Sequence, residues 1–296
     1  MRWHGVFPAI TTPFHRDGQI DFEFLGRHSQ WLIDSGCQGL VLFGSLGEGG
    51  TLSLEEKRDA IATVQAAIGD RAPIVVTVGG LSTAQGAAVA RLAAESGCHG
   101  LMILPPYAYR TEGSETLAHF RALMAETALS CMLYNNPIAY GTDVTPDQIE
   151  SLLSVPNFHS VKESSADVRR ITEIRRRVGD RLALFVGVDD LIVEGIDAGA
   201  TGWIAGLVNA FPVESVRLFE HALAGRRREA RELYEWFLPL LRLDVVPKFV
   251  QLIKLTQAHV AMGSESVRPP RLPVSGAERE AALAVIRQGL ATRPAV

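Results

Sequence analysis

Three stretches of the chain repeat one pattern of polar and apolar positions: Asp34-Ser35-Gly36-Cys37-Gln38-Gly39-Leu40-Val41-Leu42, Glu95-Ser96-Gly97-Cys98-His99-Gly100-Leu101-Met102-Ile103 and Asp197-Ala198-Gly199-Ala200-Thr201-Gly202-Trp203-Ile204. Each reads as a helix end, a glycine suited to a left-handed C-cap, a second glycine and then a continuous apolar run. A run that is apolar on both faces is the mark of a parallel strand covered by helices. Such runs predict eight strands, near residues 5–11, 39–44, 73–79, 100–104, 131–135, 160–163, 183–188 and 202–208. The segments between them place apolar residues at helical spacing, as Phe22, Leu25, His28, Leu32 and Ile33 do over 21–34. Helix starts fall where expected, with Ser53-Leu54-Glu55-Glu56 forming a capping box and Thr145-Pro146-Asp147 placing proline at the first helical position.

Eight alternating β and α elements predict a (β/α)8 TIM barrel rather than a doubly wound sheet. No strand is followed by the Gly-x-Gly-x-x-Gly of a dinucleotide-binding start. Beyond Asn209 the pattern is helical over 212–224, 226–243, 246–261 and 276–288, and the last three segments read as an appended C-terminal helical bundle. The expected division is a barrel over 1–224 and a helical region over 225–296. The active site of a barrel lies at the C-terminal ends of its strands, which makes those positions the first candidates for chemistry.

Composition narrows the function. With 296 residues, 47% hydrophobic and 21% charged, the chain can bury a large core. The runs Arg175-Arg176-Arg177 and Arg226-Arg227-Arg228 have no interleaved aromatics and the net charge is −4, so they read as solvated helix faces and not as a nucleic-acid surface. No apolar run reaches the roughly 20 residues of a membrane span, and Met1–Phe7 lacks the apolar core of a signal peptide, so a cytoplasmic protein is expected. Cys37, Cys98 and Cys131 adjoin apolar runs and read as buried thiols of a reducing compartment. The histidines are dispersed without ligand spacing and no P-loop is present, so neither a metal nor a nucleotide is expected.

Of the 29 Lys+Arg residues only Lys57, Lys162, Lys248 and Lys254 are lysines. Lys162 alternates with Ser160 and Ser164 on one face of a strand, which turns its amine toward the barrel interior. Arginine keeps its proton, whereas a desolvated lysine can become a neutral amine and attack a carbonyl. The plain alternative is a strand-end lysine that snorkels to solvent or pairs with Glu163. Tyr134 ends the preceding strand and can shuttle protons, or be a buried tyrosine with a satisfied hydroxyl. The turn Gly44-Ser45-Leu46-Gly47-Glu48 offers backbone N–H groups and the Ser45 hydroxyl to a carboxylate, or is simply a tight turn. Gly187-Val188-Asp189-Asp190 closes strand seven, Gly202-Trp203-Ile204-Ala205-Gly206 closes strand eight, and Tyr107 lies on the loop after strand four.

In this order the motifs resemble the dihydrodipicolinate synthase and N-acetylneuraminate lyase family. The matches are Pro8-Ala9-Ile10-Thr11-Thr12-Pro13-Phe14, the glycine turn at 44–48, Tyr134-Asn135-x-Pro137, Lys162-Glu163-Ser164, Gly187-x-Asp189-Asp190 and Gly202-x-Ile204, spread over nearly the whole chain. The resemblance implies a class I enzyme in which Lys162 forms an imine with a 2-oxo acid, without cofactor or metal. It makes Tyr134 the proton shuttle and Ser45 the stand-in for a threonine of the relay. Amides near Ser45 and Leu46 would hold the substrate carboxylate, with Gly187, Asp189 and the Ile204 carbonyl lining the site. It also implies a homo-oligomer, a tetramer or dimer, into whose site Tyr107 reaches from a neighbouring subunit.

Two departures bear on the substrate. Where synthases carry an arginine two residues after the proline, this chain has Ala139, followed by Tyr140, so a bidentate carboxylate clamp is lost. Leu46 replaces a second hydroxyl residue. The sequences around Tyr134–Gly141, Lys162–Arg170, Ala205–Pro212 and Val267–Pro273 are most similar to the 1-pyrroline-4-hydroxy-2-carboxylate deaminases. These implied readings point to a cyclic imine or 2-oxo acid substrate yielding 2,5-dioxopentanoate and ammonia. The alternatives are an aldolase or dehydratase of 2-oxo-3-deoxy sugar acids, dihydrodipicolinate synthase itself, and a 2-oxo-acid-binding sensor barrel without turnover.

Overall fold

A computed structural model describes residues 1–107 and 109–295. Eight parallel strands form one sheet in the order β1-β8-β7-β6-β5-β4-β3-β2. They are β1 (Gly5–Pro8), β2 (Leu40–Leu42), β3 (Ile74–Val78), β4 (Gly100–Ile103), β5 (Ser130–Asn135), β6 (Phe158–Glu163), β7 (Ala183–Val186) and β8 (Gly202–Ala205). A parallel bridge between Ala9 and Val41, with the Ile10 amide donating to the Val41 carbonyl at 3.0 Å, brings β1 onto β2. The protein is therefore a (β/α)8 barrel. Helices α1 (Phe22–Asp34), α2 (Leu54–Ile68), α3 (Thr83–Glu95) and α4 (Gly113–Ala125) alternate with the first strands. A one-turn helix α5 (Pro137–Tyr140), then α6 (Pro146–Ser151), α7 (Arg169–Val178), α8 (Ile192–Asp197) and α9 (Pro212–Leu223) follow. The C-terminal region adds α10 (Arg227–Leu241), α11 (Phe249–His259) and α12 (Gly276–Ala291).

The repeated phrase has a physical reason at each of its glycines. The first of each trio, Gly36, Gly97 and Gly199, has φ of 96°, 69° and 109°, the left-handed backbone that ends a helix and turns the chain into the sheet. The second makes room below the barrel. A Cβ at Gly39 would lie 2.5 Å from the Phe7 ring, one at Gly100 would lie 3.1 Å from Trp3, and one at Gly202 would collide with Phe185. Phe7, Phe185 and Trp3 pack on one another, with Phe7 and Phe185 edge to face at 5.5 Å between centroids. These buried rings plug the N-terminal end of the barrel.

Six of the eight strands end sooner at the functional rim than the apolar runs predict, while β5 and β6 end at Asn135 and Glu163 as expected. The run at 202–208 leaves the sheet after Ala205 because the Asp189 carboxylate accepts the amides of Gly206 and Leu207 at 3.1 and 2.8 Å, and Leu207–Asn209 winds into a 3-10 turn. Downstream, the helix expected to reach residue 243 stops at Leu241, continues as a 3-10 turn Arg242–Asp244, and α11 begins only at Phe249. The capping box at Ser53 and the proline start at Pro146 form as the sequence predicts. All three cysteines are buried and unpaired. Among the described residues no helix is long and apolar enough to cross a membrane, and no group of His, Cys, Asp or Glu is arranged to hold a metal ion.

The C-terminal region shares the barrel's apolar core through Phe237, Leu240, Leu241 and Ile253, which pack in one cluster with the strands. Two buried polar joints fix its position. Lys254 of α11 donates to Glu48 Oε1 at 2.6 Å and to the Ser266 carbonyl at 2.7 Å, with its ammonium 4.4 Å above the Phe14 ring. Glu48 Oε2 accepts the Arg268 amide at 3.0 Å. The second joint links Thr11, His28, Asn209 and Gln257, where the Thr11 hydroxyl donates to Gln257 at 2.8 Å and His28 Nε2 meets the Asn209 carbonyl at 3.0 Å. Burial pulls the His28 pKa down to about 4, with the Asn209 contact working the other way.

Two outcomes follow. Lys254→Met leaves buried Glu48 with only the more distant Arg271 guanidinium at 3.7 Å and is expected to cost about 3 kcal/mol in denaturant unfolding, while the double variant with Glu48→Gln recovers most of that loss. A double variant less stable than Lys254→Met alone would show that the loss does not come from a stranded carboxylate. His28 has a folded pKa below its unfolded value, so the unfolded chain binds the proton first. Stability is expected to be intact above pH ~6.5 and to fall by on the order of 3 kcal/mol as pH drops to about 4. His28→Gln should flatten the pH dependence of Tm over that window.

Candidate active site

Strand register sets the centre of the site. Tyr134 of β5 and Lys162 of β6 are Cα partners, each 6% exposed, and the Lys162 ammonium lies 4.1 Å from the centroid of the Tyr134 ring. A cation over an aromatic face recovers part of the cost of leaving water. Lys162 is not paired with Glu163, which points the other way: it accepts from Asn135 Nδ2 at 3.1 Å and the Ser165 amide at 2.7 Å, with Arg170 at 3.6 Å. The alternation read from the strand is thus realised, amine inward and carboxylate outward.

Gly187 at the end of β7 must be glycine. A Cβ there would lie 2.5 Å from Lys162 Cε and would strike Ser164 Oγ. The Lys162 side chain therefore lies flat against the β7 backbone. Asp189, two residues on, is fully buried, and its carboxylate accepts from Trp203 Nε1 at 3.1 Å as well as from the Gly206 and Leu207 amides. Burial lifts its pKa to about 6, while those donors and the Lys162 charge act to lower it. Asp189 thereby ties the end of β7 to the end of β8, where Ile204 is buried and its neighbour Gly206 opens the turn.

The glycine turn after β2 is held in an uncommon backbone. Phe43 and Glu48 flank it with φ of 63° and 53°, values that are strained for side chains of this size. Gly47 packs against Ile10, where a Cβ would come within 2.7 Å of the backbone oxygen, and its carbonyl accepts from Thr12 Oγ1 at 2.6 Å. Glu48 is fixed by Lys254, so the turn carrying Ser45 and buried Leu46 is anchored from the C-terminal region.

Within the chain, the Tyr140 hydroxyl joins Ser45. Ser45 Oγ is hydrogen-bonded to the Tyr140 hydroxyl, while the Tyr134 hydroxyl accepts from Asn136 Nδ2 at 3.0 Å. Tyr140 stands edge to face with Tyr134 at 5.7 Å between centroids. Burial, then the proximity of Tyr134, holds the Tyr140 hydroxyl well above the usual phenol range, so it stays protonated. Tyr140 is delivered by α5, whose cap is Asn136 Oδ1 accepting the Ala139 amide at 2.9 Å. Ala139 is exposed on that turn. Tyr107, 38% exposed, lies 6.1 Å from the Tyr140 ring of the same chain.

Sequence reasoning named Tyr140 beside Ala139 as bearing on the substrate but gave it no part in the relay, and it assigned no role to Glu48, Lys254 or Asp244. Lys254 had a signal, since it is one of only four lysines and sits in the otherwise apolar Leu252-Ile253-Lys254-Leu255. The Asp244 carboxyl lies over Gly206, where a Cβ would collide with it. Nothing local marks that aspartate.

The chain resembles known proteins over its whole length. The family model described as the dihydrodipicolinate synthetase family matches residues 2–289. The 4-hydroxy-tetrahydrodipicolinate synthase of Haloarcula marismortui is 34% identical over 241 residues, 81% of this chain and 78% of that one. Its counterpart in Methanothrix thermoacetophila is 30% identical over 95% of each chain. Among solved structures, dihydrodipicolinate synthase DapA-2 of Bacillus anthracis superposes with a TM-score of 0.94 at 26% identity, covering 100% of both chains. The 4-hydroxy-tetrahydrodipicolinate synthase of Methylacidiphilum fumariolicum gives 0.92 at 28% identity over 98% of each. With a barrel of this topology, an inward lysine on β6 and a tyrosine beside it on β5, the chain belongs to the dihydrodipicolinate synthetase family, as a class I Schiff-base lyase.

Proposed function

We propose that the protein condenses Lys162 with a 2-oxo-acid-type substrate and, within that chemistry, acts as a 1-pyrroline-4-hydroxy-2-carboxylate deaminase. The observation that carries the finer reading is α5. It presents the methyl of Ala139 where a synthase carries a guanidinium, and spends Tyr140 on Ser45. A substrate whose far end is a carboxylate finds no clamp at that position.

In this reading the Lys162 amine adds to C2 of the cyclic imine and the C2–N bond breaks, leaving a lysine imine at C2 and a free amine at C5. The Tyr134 hydroxyl gives its proton to the departing ring nitrogen, and the phenolate so formed, held by Asn136 Nδ2, takes the proton from C3 as the imine draws electrons from that carbon. Loss of the C4 hydroxyl as water, tautomerisation and hydrolysis then release ammonia and 2,5-dioxopentanoate. Tyr140, kept protonated by its burial, steadies Ser45 beside the bound carboxylate. Leu46 and the turn amides close the carboxylate end, and Gly187 gives the lysine room to swing onto the carbon. Asp189 supports the wall near Ile204, and assembly with a second chain brings a partner's Tyr107 toward the rim.

The second reading, 4-hydroxy-tetrahydrodipicolinate synthase, is favoured by the names of the relatives and by one contact. Arg110, on the loop after β4, has its Nε 3.4 Å from where a Cβ on Gly141 would stand, so a guanidinium borders α5 from another direction. The two readings separate in one assay. Ammonia release from the pyrroline, without condensation of pyruvate with aspartate semialdehyde, is expected; the opposite pattern would replace the deaminase by the synthase.

In either case Lys162→Ala should lose turnover at least about a thousandfold, with no borohydride-trapped adduct on the peptide bearing residue 162. Full activity in that variant would remove the imine mechanism. Tyr140→Phe breaks the contact to Ser45 and is expected to lower kcat by roughly a hundredfold while imine trapping persists. Wild-type kcat in Tyr140→Phe would leave Ser45 to act without it.

A further inference from the structure

The turn after α10 carries a carboxyl into the mouth of the barrel. Arg242–Asp244 is a 3-10 turn, and the Asp244 carboxyl lies over the Cα of Gly206, whose amide is bonded to Asp189. Two carboxyl groups thus flank one glycine at the end of β8. They differ in their partners. Asp189 accepts from Trp203, Gly206 and Leu207. Asp244 Oδ1 is buried with no hydrogen-bond partner. Ser164 Oγ, against Lys162 and Gly187, is likewise buried and unpartnered. Unmet polar atoms converge on the same mouth as the amine, and buried polar groups without partners cost stability unless a ligand satisfies them.

We propose that Asp244 is a further catalytic residue, the acid that meets the C4 hydroxyl of the lysine-bound substrate and gives it the proton on which it leaves as water. This rests on the deaminase reading. The C3 proton goes to Tyr134, the electron pair it leaves forms the C3–C4 double bond, and the C4–O bond breaks with its pair on oxygen. That oxygen takes the Asp244 proton, and Asp244, left as carboxylate, is reprotonated from water once product departs. Hydroxide is a poor leaving group, so this step needs an acid. Lys162 is spent on the imine, and the Tyr134 phenolate, its proton already given to the ring nitrogen, is the acceptor for C3.

The surroundings keep Asp244 able to donate. Burial, then the charge of Asp189, holds its carboxyl well above the ordinary range, against the pull of Lys162. Two neighbouring carboxyls in a dry site hold one proton between them, and the one bonded to three N–H donors is the anion. The ring-opened intermediate carries a cationic amine at C5, one carbon past the hydroxyl. An acidic pair suits that cation where an arginine would repel it.

Asp244→Asn keeps the size and removes the acid. Three readouts in wild type and variant decide its role: borohydride trapping with pyruvate, exchange of C3 protons in deuterated water, and ammonia release from the pyrroline. Ammonia release should fall by about a hundredfold or more, with trapping and exchange within roughly threefold of wild type. Undiminished ammonia release would overturn the proposal, and so would an equal loss of all three readouts, which marks a structural role. Should wild type trap pyruvate yet release no ammonia, the deaminase reading falls by itself, and the hydroxyl contact is then read by trapping competition between a 4-hydroxy-2-oxo acid and its 4-deoxy analogue. A wild-type preference of about tenfold for the hydroxy acid, abolished in Asp244→Asn, keeps Asp244 as the group that meets the hydroxyl. An unchanged preference overturns it.

Discussion

The structure is organised around holding a primary amine at the end of a buried strand. An ammonium in an apolar barrel carries a desolvation cost of several kcal/mol, and each neighbour of Lys162 offsets part of it or gives the side chain space. The Tyr134 ring lies beneath the cation, Asp189 supplies negative charge from the end of β7, and Gly187 lets the methylenes lie against the backbone. The result is an amine that is accessible from one side and supported on the others.

That arrangement reaches into the C-terminal region. The turn bearing Ser45 ends in Glu48, a left-handed residue whose carboxylate is locked by Lys254 of α11, and Asp244 arrives from the end of α10. The helices beyond the barrel are therefore part of the site's wall and not only a cover. A barrel without them would leave Glu48 unpaired in a strained turn. Backbone strain of this kind persists where the surrounding structure over-determines it, and it clusters at active sites and ligand clamps.

How far the sequence foretold this depended on range. Elements built from local signals were legible: the helix-to-strand phrase, the Ser53 cap, the proline start at Pro146 and the inward face of Lys162. So was the pairing of Tyr134 with Lys162, because consecutive strands in a barrel are neighbours. What escaped depended on contacts across long separations. Glu48 and Lys254 are 206 residues apart, and Asp244 meets Gly206 only because a 3-10 turn interrupts a helical pattern that would otherwise continue. Tyr140 joins Ser45 because Asn136 caps a single helical turn, and a four-residue helix leaves no periodicity to detect. The end of β8 was overestimated for the same reason: Asp189, not the apolar run, decides where that strand stops.

The aromatic cluster of Trp3, Phe7 and Phe185 has a consequence for how the amine is seated. Phe185 is the Cα partner of Lys162, while its ring reaches the start of β8 at Gly202 and packs on Phe7 and Trp3. One residue thus belongs both to the strand layer that carries the amine and to the aromatic floor. A change in how those rings seat is felt directly by the lysine's neighbour in the sheet.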